Sequence, residues 1–261
     1  MPEFQEKAPL LHREVIAADI FRLTLHAPEI AAAARPGQFV MLRVGAGMDP
    51  LLRRPFSIHQ VDASGNMQIL FKVIGRGTAA LAGVSPGSSI DCIGPLGRGF
   101  SLARKGGLCL VGGGMGIAPL YFLANRLVQD GKRIDRDFVL LGARNQEELH
   151  IVADEFSELG YRVQTATDDG SLGHHGFVTE LLDPILPAME QVCTCGPLAM
   201  MKICADKAGA ADVACQVSLE THMACGLGAC LGCAVRSADG GYLHVCRQGP
   251  VFDASEVKWT G

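Results

Sequence analysis

Along residues 10–93 apolar and polar positions alternate in short runs, as in Phe21, Leu23 and Leu25 set against Arg22, Thr24 and His26. Runs at 14–16, 20–25, 38–44, 67–74 and 89–93, separated by Gly, Pro and Asp turns, predict half-buried strands of a small antiparallel β-barrel. Beyond residue 102 the period changes. Leu108-Cys-Leu-Val is continuously apolar, the pattern of a strand covered on both faces, and an amphipathic helix follows through 121–128. The unit then repeats. Strand 138–142 precedes a helix from about 147 to 158, strand 162–167 precedes a helix beginning at Val178, and a further strand occupies 191–194. Alternating strands and helices predict an α/β doubly wound parallel sheet whose ligand crevice lies at the strand C-termini. The expected division is residues 1–101, 102–215 and a small C-terminal module, 216–261, too short to bury a core of its own.

Composition narrows the class. With 48% hydrophobic and 19% charged residues the chain is globular rather than disordered, and a net charge of −4 offers no basic footprint for nucleic acid. The N-terminus, Met1-Pro-Glu-Phe-Gln-Glu-Lys, lacks an apolar signal segment, and no apolar run reaches the roughly 18 residues of a membrane span. A reducing cytoplasm is therefore expected. In that setting Cys92, Cys109, Cys193, Cys204 and Cys215 read as small core residues. The histidines (12, 26, 59, 150, 174, 175, 222 and 244) show no ligand spacing and read as surface or loop residues.

The remaining cysteines carry chemistry. Cys225, Cys230, Cys233 and Cys246 are spaced C-x4-C-x2-C-x12-C, the ligand order of a plant-type [2Fe–2S] cluster. Four thiolates must converge on two irons from one wrapping loop, and glycines at 226, 228 and 232 let the backbone pass close to the sulfurs. A structural zinc site is the alternative that this spacing leaves open.

A second motif, Gly114-Met-Gly116-Ile-Ala-Pro119, joins the 108–111 strand to the next helix. Strand, glycine turn and helix together suit a dinucleotide, because phosphates bind where free helix amides point. Cys195-Gly196-Pro197 closes a later strand at the same expected edge. Arg144 suits a 2′-phosphate whereas Glu147 and Glu148 repel one, so these residues leave NAD or NADP open.

Arg54-Pro55-Phe56-Ser57 is similar to the flavin motif of the ferredoxin–NADP⁺ reductase superfamily, and Leu70-Phe71-Lys72 followed by Gly77-Thr78 resembles its second FAD stretch. The resemblance implies that Arg54 contacts the FAD pyrophosphate and that Pro55, Phe56 and Ser57 line the isoalloxazine. It also implies that Gly77 and Thr78 offer amides and a hydroxyl to phosphate, and that Cys195 stands beside the nicotinamide as a catalytic residue. A guanidinium suits a diphosphate through paired N–H donors.

The full order of flavin barrel, nicotinamide domain and cysteine module resembles the electron-transfer subunits of type B dihydroorotate dehydrogenases. Ser218-Leu-Glu-x-x-Met-x-Cys225-Gly-x-Gly-x-Cys230-x-x-Cys233 is its most specific block, with His222 as a departure. That resemblance implies FAD, a [2Fe–2S] cluster, NAD as substrate, and a heterotetramer of two of each subunit with an FMN-containing catalytic partner. It further implies that the partner oxidises dihydroorotate to orotate in pyrimidine biosynthesis and that electrons reach NAD⁺ through this chain. Two rival readings remain: a reductase subunit of another complex, such as a sulfide dehydrogenase, glutamate synthase-type complex or hydrogenase, and a non-catalytic zinc- or nucleotide-binding regulator. Trp259 is expected either to cover the flavin or to pack.

Overall fold

A computed structural model describes residues 3–45, 47, 51–102 and 106–259; Met1 and Pro2 of the N-terminal stretch lie outside them. The first unit is a closed six-stranded antiparallel barrel. Its strands are β1 (Phe4–Ala17), β2 (Ile20–His26), β3 (Phe39–Leu42), β4 (Arg54–Val61), β5 (Asn66–Lys72) and β6 (Ser89–Leu96), in the order β1-β2-β5-β4-β3-β6. The fourteen-residue β1 closes the barrel by pairing with β6 through Phe4–Pro9 and with β2 through Leu10–Ala17. Leu10, Leu23, Leu25, Ile58, Met67 and Ile69 fill the interior. The short helices α1 (Pro28–Ala33) and α2 (Arg76–Ala82) add Ile30 and Leu81 to the same core. The β4–β5 hairpin is set locally: Asp62 accepts the N–H groups of Ser64 and Asn66, and Gly65 takes φ +79°.

The second unit is a seven-stranded sheet. Its strands are β7 (Gly107–Gly113), β8 (Phe138–Ala143), β9 (Arg162–Thr167), β10 (His174–His175), β11 (Met189–Cys195), β12 (Ala214–Ser218) and, returning from the tail, β15 (Val251–Asp253). The order is β10-β9-β8-β7-β11-β12-β15, parallel except for β15. Every residue of β7 is buried, which is why its sequence is uniformly apolar. Helices α3 (Ile117–Gln129) and α4 (His150–Glu158) cover one face and α5 (Leu198–Ala210) the other. β7 leads outward to β8 and β9, whereas β11 and β12 lie on its other side, so the topological switch falls between β7 and β11.

The tail contributes a hairpin, β13 (Ala234–Arg236) with β14 (Tyr242–His244), and the short helix α6 (Val245–Gln248). Its core is not its own. Cys233, Val245, Cys246, Phe252 and Val257 pack with Phe39, Met41 and Leu96 of the barrel and with Met201 and Val217 of the sheet domain. Trp259 packs at the margin of this cluster and donates its indole N–H to Ala254 O at 3.0 Å.

Several expectations need correction. The 215/216 boundary cuts through β12, and the tail returns as β15 to pair antiparallel with it, so the third unit is woven into the second. The segment at Val178 is a single 3₁₀ turn, Val178–Leu181, and the expected 147–158 helix is a 3₁₀ turn, Gln146–Glu148, followed by α4. His59 is fully buried rather than on the surface, because a register shift between Ile58 and Gln60 changes the facing of β4 and turns the ring toward α3. Cys92, Cys109, Cys193 and Cys204 are core residues as read, and Cys215 is half-buried.

Because Phe252 joins three units, Phe252→Ala is expected to cost about 3–5 kcal/mol, read as a lowered midpoint in denaturant with cluster colour lost in the same transition.

Candidate functional site: a flavin seat between a dinucleotide cleft and a cysteine loop

The flavin seat originates in an interrupted ladder. β4 and β5 pair from Val61↔Met67 to Ile58↔Ile69 and no further. Beyond that point β4 stays bound to β3 through Phe39↔Ser57 and Leu42↔Arg54, while β5 stays bound to β2 through Arg22↔Leu70 and Ile20↔Lys72. The edges of 54–57 and 70–72 therefore open away from each other, with backbone polar groups available to a planar guest. Arg54 and Gly77 meet at this opening: a Cβ on Gly77 would lie 3.0 Å from Arg54 Nε. Arg54 Nη1 donates to Leu52 O at 2.8 Å, whereas its neighbour Arg53 is tied to Asp91 at 2.9 Å and fixes β6. Thr78 Oγ1 accepts from Ile74 N at 2.9 Å and donates to Gly75 O, so its hydroxyl shapes the turn and is already engaged.

Strand alternation separates the expected flavin residues. Phe56 and Phe71 point into the barrel core, edge to face with centroids 5.4 Å apart, so Phe56 does not offer its side chain to the ring. Pro55 and Ser57 face the other way and line a narrow cavity of about 40 Å³. Leu70 packs into the core of the sheet domain, and Lys72 reaches the dinucleotide cleft, where its Nζ lies 2.5 Å from Glu148. Pro119 is buried in the first turn of α3, where it shapes the backbone.

All three units wall that narrow cavity: Pro55 and Ser57 from the barrel, Gly116, Cys195 and Gly196 from the sheet, and Ser218, Glu220 and Met223 from the approach to the cysteine loop. Gly116 is obligatory here, because a Cβ would sit 2.1 Å from Cys195 O. Gly196 has φ +153° and lies against Gly113. Burial pushes the Cys195 thiol up to about 12, aided by the Glu220 carboxylate and opposed by a hydrogen bond with Ser218. At neutral pH it is a protonated, apolar wall rather than a nucleophile.

The dinucleotide cleft, about 420 Å³, opens at the C-terminal ends of β7, β8 and β9 beside the topological switch. Gly114, with φ +52°, and Pro197 line it. Phe177, Val178 and Thr179, which the sequence reading did not single out, line it too, and Phe177 is 68% exposed. Arg144 does not stand alone: its Nε is 3.4 Å from Glu148, which also holds Lys72.

The cysteine loop has the donor chemistry of a cluster site. Cys225 Sγ accepts from Leu227 N at 3.4 Å and Cys230 N at 3.5 Å, and Cys233 Sγ accepts from Cys246 N at 3.4 Å. The Sγ atoms of Cys233 and Cys246 are 3.1 Å apart. Burial raises the Cys225 thiol, but the amide donors of Cys230, Leu227 and Ala229 outweigh it and bring the group down to about 6, whereas burial and the adjacent Cys233 push the Cys246 thiol up to about 12. Gly226 and Gly228 take φ +73° and +80°, and a Cβ on Gly226 would meet Met41 Cγ at 2.5 Å, so the loop is pressed onto the barrel. Cys230 is exposed between Leu227 and Leu231, the latter at φ +59°.

Fold and site together define a pyridine-nucleotide oxidoreductase of ferredoxin–NADP⁺ reductase type with an added iron–sulfur module. An oxidoreductase FAD-binding domain matches residues 7–100, an oxidoreductase NAD-binding domain residues 110–206, and the iron-sulfur cluster binding domain of dihydroorotate dehydrogenase B residues 220–258. The last match selects iron–sulfur over zinc. The chain is 40% identical over 259 residues to the dihydroorotate dehydrogenase B (NAD(+)) electron transfer subunit of Desulforamulus reducens, covering 97% of each, and 36% identical to that of Fusobacterium nucleatum, covering 93% and 94%. It belongs to this family of electron transfer subunits. A solved NADH-dependent reduced ferredoxin-NADP oxidoreductase superposes with TM-score 0.86 at 34% identity, covering 97% of this chain and 90% of that one. The ferredoxin NADP+ reductase of Neisseria gonorrhoeae shares the fold, with TM-score 0.65, 19% identity and coverage of 78% and 89%.

Two outcomes test this geometry. Gly116→Ala, by forcing the glycine turn after β7 away from Cys195 at the end of β11, is expected to slow flavin reduction by NADH about a hundredfold with FAD content unchanged, followed by stopped-flow absorbance. Cys195, protonated up to about pH 12, is expected to resist alkylation in the folded protein across neutral pH and to react only after unfolding, measured by differential labelling and mass spectrometry.

Proposed function

We propose that this chain carries electrons between an FMN-containing partner that oxidises dihydroorotate and NAD⁺, in the cytoplasm and in the service of pyrimidine synthesis. The observation that carries the reading is the single cavity walled by the flavin seat, Cys195 and the approach to the cysteine loop. FAD at the seat and a [2Fe–2S] cluster on Cys225, Cys230, Cys233 and Cys246 supply the exchange between two-electron and one-electron transfer when bound.

The chain's own residues do the positioning. The Arg54–Gly77 opening seats the flavin phosphates, and Pro55 and Ser57 border the ring. Gly114 and the first turn of α3 receive the dinucleotide phosphates. Gly116 and Gly196 allow nicotinamide and flavin to approach without a side chain between them, while neutral Cys195 keeps the contact dry. Phe39 walls the cavity and shares a core with Cys233 and Cys246, so the cluster loop and the ring rest on the same β3 residues.

Support for a catalytic partner comes from the outer face of the loop, where Leu227, Cys230 and Leu231 lie exposed. Two of each subunit in a heterotetramer is the assembly we propose. No helix among the described residues is long and apolar enough to cross a membrane. A second reading, a reductase subunit of another electron-transfer complex, is favoured by the close superposition on the NADH-dependent ferredoxin-NADP oxidoreductase.

Anaerobically purified protein is expected to show flavin absorption with about two irons per chain, and Cys225→Ser to lose the iron while keeping FAD. Alone it should reduce dyes with NADH and leave dihydroorotate untouched. A co-purifying FMN protein that restores orotate formation supports the first reading, whereas robust dihydroorotate oxidation by the isolated chain, or a partner inactive on it, overturns that reading.

A further inference from the structure

The barrel meets the sheet domain through a partly buried polar cluster that the electron-transfer reading does not use. Arg22 on β2 bonds Glu14 of β1 at 2.9 Å and Glu155 of α4 at 2.6 Å. Beside them lies His59 of β4, fully buried and stacked on Tyr121 of α3 with centroids 4.8 Å apart. His59 Nδ1 is 3.3 Å from the Ala118 carbonyl, an acceptor, so Nδ1 carries the ring proton and Nε2 presents a lone pair. That lone pair faces Glu155 Oε2 at 4.0 Å, and neither atom has a hydrogen-bond partner.

Two buried acceptors aimed at each other lack one hydrogen between them. Arg22 is shared between Glu155 and the half-exposed Glu14, and Glu158 acts on Glu155 from the surface as a like charge, so Arg22 does not serve Glu155 alone. Tyr121 adds no positive charge, and burial with the Arg22 charge keeps His59 neutral, down to about 3. Burial in turn raises the Glu155 carboxyl against the pull of Arg22.

We propose that Glu155 is protonated on Oε2 and donates to His59 Nε2, and that this hydrogen bond, relayed through His59 Nδ1–H to Ala118 O, fixes the first turn of α3 against the flavin barrel. Ala118 follows Gly116 by two residues, so the relay sets where the glycine turn of the dinucleotide site stands relative to the flavin seat. Glu155 and His59 are positioning residues for the transfer between nicotinamide and flavin. The inference rests on the assignment of the two nucleotide-binding domains and is independent of which partner the cluster serves.

The sign of the pH dependence follows. A carboxyl whose pKa is higher in the folded protein than in the unfolded chain stabilises fully below its unfolded pKa, and that stabilisation is lost as pH rises through the folded value. Rising pH therefore loosens the joint. Glu155→Gln supplies an N–H to His59 and an oxygen to Arg22 without needing the proton.

The test uses FAD- and cluster-loaded protein. Wild type is expected to show a carboxylic-acid C=O band in the infrared that Glu155→Gln lacks and that fades as pH rises. Its KM for NADH in dye reduction is expected to rise several-fold over the pH range in which that band is lost, whereas that of the Gln variant stays flat. If the variant fails to fold, ¹⁵N-histidine NMR of wild type decides: a neutral ring protonated at Nδ1 with a hydrogen-bonded Nε2 supports the proposal. An imidazolium, an Nε2–H tautomer, or identical infrared spectra from wild type and variant overturns it in favour of a charged Glu155.

Discussion

The tail of this protein cannot fold on its own apolar surface, and the rest of the site follows from that. About 45 residues with four cysteines committed to ligation leave too little to bury. The module solves this by packing Val245, Phe252 and Val257 against Phe39, Met41 and Leu96 of the barrel and Val217 of the sheet, and by lending β15 to the sheet edge. A cluster held this way cannot drift from the flavin. Its loop is pressed on β3, the strand that pairs with β4 of the proposed flavin seat, so the distance between the two proposed seats is set by core packing rather than by a linker.

The same economy shapes the other side of the ring. Hydride transfer demands near contact between two flat heterocycles, which requires backbone where side chains would otherwise stand. Gly116 against Cys195, and Gly196 against Gly113, bring the C-terminal ends of β7 and β11 close enough that no Cβ fits between them. The interrupted β4–β5 ladder does the corresponding work in the barrel, giving up strand pairing beyond Ile58↔Ile69 so that the edges at 54–57 and 70–72 are free for a ligand.

Legibility in the sequence followed period and chemistry. The sheet domain was readable because β7 and its neighbours are apolar on both faces, and the cysteine loop because thiolate spacing is dictated by the metal. The first half of β1 was not: Phe4–Pro9 carries charges on its outer face, and Ala8 is its single fully buried residue, too weak an alternation to register. Phe56 and Phe71 were grouped with their flavin-facing neighbours although strand alternation sends them inward. His59 was hidden by the register shift, since a one-residue change reverses facing without any mark in composition. Ser218, Glu220 and Met223 reach the cavity only because the chain turns there between β12 and the cysteine loop, a three-dimensional fact that no local pattern encodes.

A joint between two nucleotide-binding domains has to be firm and yet admit a dinucleotide between them. Apolar packing of Ile16, Ile20 and Leu70 against Tyr121 and Leu123 supplies firmness without direction. Direction comes from the polar pairs, and both originate on one segment: Glu148 holds Lys72 at the rim of the cleft, and Glu155 holds Arg22 deeper in. Their partners sit on adjacent strands two residues out of step, with Arg22 opposite Leu70 and Lys72 opposite Ile20. A carboxyl group at each end of one short segment, against two cations on one ladder, resists rotation as well as separation. The outer pair lines the cleft, and the inner pair lies away from it and is largely covered.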